Sequence, residues 1–208
     1  MSDLPIVEPP FDAAGAGPRI GGVLLAAGTS SRFGGANKLL EVVDGEPIVR
    51  HAAATLIEAG CAPIIVVVGH DHQQVRDALT DLDVTVVENP HYADGQSTSV
   101  RAGVEALPDD VEAAVFALGD MPWVRASSVE SLMAAYRNGV GTALAAAHEG
   151  ERGNPVLWTA RHFDALAAQR GDTGGRDLLF SIDDAALVET GDPGVRRDVD
   201  RPADLPEG

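Results

Sequence analysis

Cysteine and lysine occur once each in these 208 residues, and each scarcity constrains the chemistry. With Cys61 alone, no internal disulfide can form, and a lone thiol beside Ala and Pro reads as packing rather than reactivity. Long apolar runs are missing too. The longest near-candidate, Pro63 to Gly69, falls far short of the roughly 18 residues a membrane-spanning helix needs, so a soluble protein is expected. Positive charge is scarce: Lys38 and the arginines oppose 32 acids, for a formal charge of −17. That balance disfavours binding to a nucleic acid backbone or an anionic membrane and favours a small-molecule substrate. Abundant carboxylates and almost no lysine also suggest a halophile-like surface, adapted to high salt. The first 18 residues lack a basic segment followed by an apolar core, so they read as a flexible N-terminal tail on a cytoplasmic protein, not a secretory signal. No internal repeat interrupts the rest, and the expected organisation is one domain over residues 19–208.

Short apolar runs alternate with amphipathic stretches. Arg19 to Ala26, Pro63 to Gly69, Val84 to Glu88, Ala113 to Leu118 and Thr142 to Ala147 have strand length and composition. Helices are predicted over Pro47 to Ala59, from an Asp71 cap through Leu79, and from a Ser127/Glu130 capping box through Arg137. Continuous apolar strands separated by helices imply an α/β fold whose mostly parallel sheet is buried on both faces. In such sheets ligands gather at the carboxyl ends of the strands, which directs attention to the loops that follow them.

The loop after the first strand, Ala27 through Lys38, carries Gly28, Gly34 and Gly35 with Arg32 and Lys38. Polyphosphates need closely approaching backbone N–H groups and nearby positive charge, and this loop offers both. A surface turn is the plain alternative, but the position after a buried strand and the single lysine favour function. Neither a G-x-G-x-x-G nor a G-x-x-x-x-G-K-[ST] pattern occurs, which leaves the usual dinucleotide fold and the standard P-loop unsupported. Asp120, in Gly119-Asp120-Met121-Pro122 at the end of another apolar strand, supplies a carboxylate at the same sheet edge. A polyphosphate bound beside it calls for a hard cation on such a group. The six histidines show no metal-ligand spacing.

Leu25-Ala26-Ala27-Gly28-x-Ser30-x-Arg32-x-Gly34 followed by Lys38 resembles the first signature of the molybdopterin nucleotidyltransferases, and Gly119 to Pro122 resembles their G-D-M-P motif. Phe33 stands where these relatives carry Met, and three residues rather than two separate Gly34 from Lys38. Asn89 through Ser99 resembles the family's N-P-x-[YW] segment, Gly153-Asn154-Pro155-Val156 its G-[HN]-P-V, Gly171 through Arg176 its G-D-x-G-[AG]-R, and Asp198 through Leu205 its D-[IV]-D-T-P-E-D-L, with Arg201 in place of Thr. These segments follow the family's order from Ile20 to Leu205.

The resemblance implies a three-layer α/β/α sandwich of the nucleotide-diphospho-sugar transferase type. It implies transfer of CMP from CTP to the phosphate of molybdenum-bearing molybdopterin with Mg²⁺, and Ala27 favours the cytidylyl over the guanylyl branch. Nucleotide contacts fall to Leu25, Ala26, Ala27, Gly28, Ser30, Arg32, Gly34, Lys38, Gly95, Ser97, Ser99 and Asp120. For Ser97 and Ser99 helix capping is an equal expectation. Arg32, Lys38 and Asp120 are the catalytic candidates, and Asp120 and Asp200 the metal ligands. Asn154, Pro155, Asp172, Gly174 and Arg176 line the acceptor side. A guanylyltransferase or another small-molecule nucleotidyltransferase, and a non-catalytic nucleotide-binding chaperone with a molybdoenzyme partner, are the alternatives.

Overall fold

The computed structural model describes residues 4–11, 17–30, 33–34, 36–171 and 175–205. Among them, eight strands form one sheet: β1 Ile6–Val7, β2 Ile20–Ala26, β5 Ile64–Val68, β6 Thr85–Glu88, β7 Ala113–Leu118, β8 Ala143–His148, β9 Glu151–Thr159 and β10 Ala185–Glu189. The remaining two, β3 Val42–Val43 and β4 Glu46–Pro47, pair as a small antiparallel hairpin. The large sheet runs β1-β10-β8-β9-β7-β2-β5-β6, and β9 alone is antiparallel to its neighbours. Helices α1 Ile48–Glu58, α2 His72–Asp77, α3 Gln96–Ala106, α4 Ala126–Arg137, α5 Phe163–Ala167 and α6 Arg176–Leu179 complete the fold.

Side-chain alternation divides the core into two layers. Leu24, Val66 and Val68 pack with α1 and α4 on one face, while Val23, Ile65 and Val67 pack with α3, α5 and α6 on the other. The central strands are therefore apolar throughout, as the sequence predicts, because both of their faces are buried. No helix among the described residues is long and apolar enough to cross a membrane.

Several local expectations change. Within the segment expected to be a flexible tail, Ile6–Val7 pairs with Leu187 and Val188 as an edge strand. Two residues are too few for the period-two pattern to show. β9 is also absent from the sequence reading, since it opens with charged and polar residues. A tight turn at Glu149 and Gly150, both at positive φ (54° and 75°), folds it back on β8.

The capping expectations fail in an instructive way. Asp71 adopts a left-handed conformation and makes no side-chain cap to α2. Helix α4 starts at Ala126, so Ser127 lies inside it and the expected capping box does not form. Its N-terminus is instead served by Asp192, which is 2% exposed. One oxygen of that carboxylate accepts from the Arg125 N–H at 2.9 Å and the Ser128 hydroxyl at 2.8 Å; the other accepts from the Gly194 N–H. A buried negative charge suits the positive end of the helix dipole, but it arrives from a distant segment that local spacing cannot reveal.

Candidate active site

Strands β2 and β7 are hydrogen-bonded neighbours in the centre of the sheet, so the loops leaving their carboxyl ends stand side by side. The β2 loop passes through Ser30, at φ 50°, to a short 3-10 helix over Lys38–Leu40. Asn37 organises this turn from a buried position. Its Oδ1 accepts from the Leu39 N–H at 3.0 Å, and its Nδ2 reaches the His70 carbonyl and the Asp71 carboxylate, each at 3.4 Å. The Lys38 N–H donates to Ser30 Oγ at 3.1 Å. The lysine backbone is thereby tied to both ends of its own loop and to the loop after β5.

The Lys38 ammonium donates to Asp120 Oδ2 at 2.6 Å and lies 3.6 Å from Asp200 Oδ1. Asp200 reaches this point because the C-terminal segment docks on the β7 loop, where the Val199 N–H donates to the Asp120 carbonyl at 2.9 Å and the Val199 side chain is fully buried. One ammonium thus faces two carboxylates. Asp198 adds to the negative field, and its carboxyl is held above the ordinary aspartate range, first by loss of hydration and then by the charges of Asp120 and Asp200. Among the described residues no three His, Cys, Asp or Glu side chains converge into a complete metal cage. Two carboxylates are nevertheless a suitable donor set for a magnesium-like ion, which takes its other ligands from phosphates and water.

A cavity of about 400 Å³ opens in front of this cluster. Of the sequence-predicted nucleotide contacts, Leu25, Ala27, Gly28, Ser30, Lys38, Gly95, Ser99 and Asp120 line it, joined by Asp200. Ala26, Gly34 and Ser97 do not. Ala26 belongs to the core because alternation along β2 turns its methyl away from the cavity, and Ser97 is buried at the start of α3, where its N–H donates to the Gly171 carbonyl. The Ser99 hydroxyl accepts from Asn89 Nδ2 at 3.0 Å, so it is anchored to the loop after β6. Arg32, Asp172 and Gly174 lie outside the described residues.

Tyr92 and Gln96 also line the cavity without having been singled out by sequence. Tyr92 sits so close to Gly69 that a Cβ at that glycine would come within 2.6 Å of the tyrosine Cβ and 2.9 Å of the Ala27 Cβ. The glycine lets three loops close around one end of the cavity. Its place between a valine run and a histidine was the available signal.

Of the residues expected on the acceptor side, Asn154 and Arg176 line a second, smaller chamber that shares Leu25, Gln96 and Leu118 with the first. Pro155 faces a separate crevice beneath α4. Cys61 stays in the core, its thiol pushed up to about 12 by burial, in keeping with a packing role.

Residues 22–186 match the MobA-like NTP transferase domain. The chain is 33% identical over 179 residues to the bifunctional protein GlmU of Clavibacter sepedonicus, covering 82% of this chain but only 36% of that protein. It is 29% identical over 193 residues to the nicotine blue oxidoreductase of Paenarthrobacter nicotinovorans, covering 88% of this chain and 93% of that relative. Among solved structures, a nucleotidyl transferase from Methanothermobacter thermautotroptrophicus superposes with a TM-score of 0.77 at 25% identity, covering 90% of this chain and 94% of its own. Rv0371c of Mycobacterium tuberculosis H37Rv, in a complex with manganese, superposes with a TM-score of 0.74 at 25% identity, covering 89% and 95%. With its glycine loop, Lys38 and Asp120 at adjacent strand ends and the family domain matched over most of its length, the chain belongs to the MobA-like NTP transferases.

Proposed function

We propose that the protein is a divalent-metal-dependent nucleotidyltransferase that moves CMP from CTP onto the phosphate of a molybdopterin-type acceptor and releases pyrophosphate. The observation that carries this reading is the Lys38 ammonium set between Asp120 and Asp200 at the edge of the glycine-loop cavity. An acceptor phosphate oxygen attacks the α-phosphorus, the bond to the β-phosphate oxygen breaks, and pyrophosphate departs. The acceptor is already an anion, so no strong base is required. Catalysis then rests on positioning and on neutralising charge that builds in the transition state.

A magnesium or manganese ion on Asp120 and Asp200 would supply Lewis-acid stabilisation of the phosphates. Lys38, at the edge of the same cavity, would face the α-phosphate. Arg32 is assigned to the departing pyrophosphate by its place in the loop motif. Ala27 and Tyr92, closed together over Gly69, form the part of the cavity that selects the base. GTP in place of CTP keeps the same machinery, and competition between the two nucleotides separates these versions.

The test is pyrophosphate release from each of the four NTPs, with molybdopterin and with simple phosphate monoesters as acceptors, with and without Mg²⁺. Release confined to CTP and molybdopterin supports the full reading; binding of CTP without transfer to any acceptor replaces it with a non-catalytic nucleotide-binding module. The near-complete coverage of a relative named nicotine blue oxidoreductase supports a second reading, an oxidoreductase acting on a compound of that kind. Reductant-dependent bleaching of nicotine blue by the same preparation would favour it.

A further inference from the structure

The smaller chamber, about 140 Å³, holds a guanidinium that the proposed phosphate chemistry has not yet used. Arg152, Asn154, Val156 and Trp158 stand at alternating positions of β9 and all line it. The Arg152 Nε is buried and has no hydrogen-bond partner among the described residues. Arg176 lines the same space from the start of α6, and no carboxylate is among the described lining residues. Phe116, Trp158 and Leu166 form apolar walls around them.

That arrangement is costly for the folded protein alone. A buried guanidinium N–H without an acceptor forfeits its hydration and gains nothing in return. A second guanidinium nearby makes it worse, and burial followed by repulsion from Arg176 holds the Arg152 pKa below the ordinary arginine value. Arginine stays charged nonetheless. In a protein with 32 acids and 15 basic residues, placing two arginines in a chamber whose described lining holds no carboxylate is the reverse of what the composition would produce by default. Charge and hydrogen-bonding capacity are both satisfied by one oxyanion entering from the larger cavity, since planar guanidinium groups bind such anions bidentately.

We infer that Arg152, together with Arg176, forms an anion-binding subsite for a compact oxyanion, a phosphate or carboxylate group of the acceptor molecule. The inference rests on the acceptor side of the proposed reaction, but it concerns binding and is tested without turnover. Trp158 and Phe116 flank the anion and restrict what can accompany it to an apolar or flat group.

Calorimetric titration of the full chain with inorganic phosphate, with malonate and separately with CTP and Mg²⁺, for wild type, Arg152→Lys and Arg152→Met, provides the test. Wild type should bind phosphate, and Arg152→Met should weaken it about 10-fold or more, as expected for losing charge-assisted hydrogen bonds. Arg152→Lys should fall between, and CTP affinity should stay within about 2-fold in all three, since Arg152 is not among the residues lining the nucleotide cavity. Thermal melts supply a second readout. Phosphate should raise the Tm of wild type but not of Arg152→Met, whose Tm without phosphate should match or exceed that of wild type because an unpaired buried charge has been removed. Stronger binding of malonate than phosphate would keep the subsite and identify a carboxylate acceptor. Phosphate and malonate affinities unaffected by Arg152→Met, or a lower Tm for that variant with no anion response in wild type, would overturn the inference. Failure of CTP to bind while the phosphate response persists would overturn the nucleotide reading and leave the subsite standing.

Discussion

The Nζ of Lys38 lies 2.6 Å from Asp120 Oδ2, joining the loop after β2 to the end of β7 across 82 positions of chain. The contact is largely shielded, with side-chain exposures of 13% and 21%, and Asp200 approaches the same ammonium from the C-terminal segment. A cation already sits where two negative groups converge. Asp120 and Asp200 would hold the metal ion and Lys38 would face a phosphate in the proposed reaction, and substitutions at the three positions separate these roles.

Asp120→Asn removes one of the two charges proposed to hold the metal while changing almost no volume. Turnover should fall by about 100-fold or more, as when a preorganised electrostatic group is lost elsewhere. The residual activity should need far more Mg²⁺ than wild type. Asp200→Asn should be milder, because Asp200 is more exposed and farther from Lys38. Steady-state rates across a Mg²⁺ titration check both, and a greater loss in Asp200→Asn would reverse the ranking.

For Lys38→Ala, kcat is expected to drop by about 100-fold with a much smaller loss of CTP affinity, since in the proposed reaction the ammonium bonds the α-phosphate more strongly as charge builds. Lys38→Arg should recover only part of the rate, because a planar fork cannot take the place of a compact ammonium. Single-turnover CMP transfer alongside calorimetric CTP binding measures the two quantities. A collapse of binding with an unchanged rate at saturating CTP would make Lys38 a binding residue only.

Ala27→Gly should shift preference partly from CTP toward GTP. Removing this methyl widens the end of the cavity that Tyr92 and Gly69 close. The partition of label from CTP and GTP competing in one reaction reports the change; an unaltered ratio would move base choice to Gly95 through Ser99.

His162 gives the fold a pH dependence of known sign. The Thr142 hydroxyl has one hydrogen and donates it to Asp184 at 2.8 Å, so His162 Nε2, 2.9 Å from the same oxygen, is the donor in their bond. Burial, reinforced by Arg161, lowers the imidazole pKa below its ordinary value. The unfolded chain then takes up a proton before the folded one does as pH falls. This group's contribution is fully present above the ordinary imidazole pKa, and it is lost as pH falls through the lowered folded value. Tm measured between about pH 5 and 7.5 should decline toward acid, within the range where imidazole titrates. His162→Gln should show a shallower decline; an unchanged slope would assign it to other groups.

The alternating apolar runs determined the core strands by themselves, because β2, β5 and β7 are buried on both faces and need no partner to be recognised. The glycine loop and Gly119 to Pro122 were legible for a related reason: their residue types meet the demands of a polyphosphate and a cation directly. Tertiary structure decided what depends on distant partners. Asp192 caps α4 from the far side of β10, Ile6–Val7 becomes a strand only where β10 offers an edge, and Ala26 turns into the core although both its neighbours line the cavity. Arg152 is the clearest case. In the sequence it is one arginine beside a glutamate, and only the pairing of β9 between β7 and β8 turns its guanidinium inward, beside Arg176 and with no carboxylate among the described lining residues. Spacing along a chain fixes which groups are available; the sheet order fixes which charges must face one another.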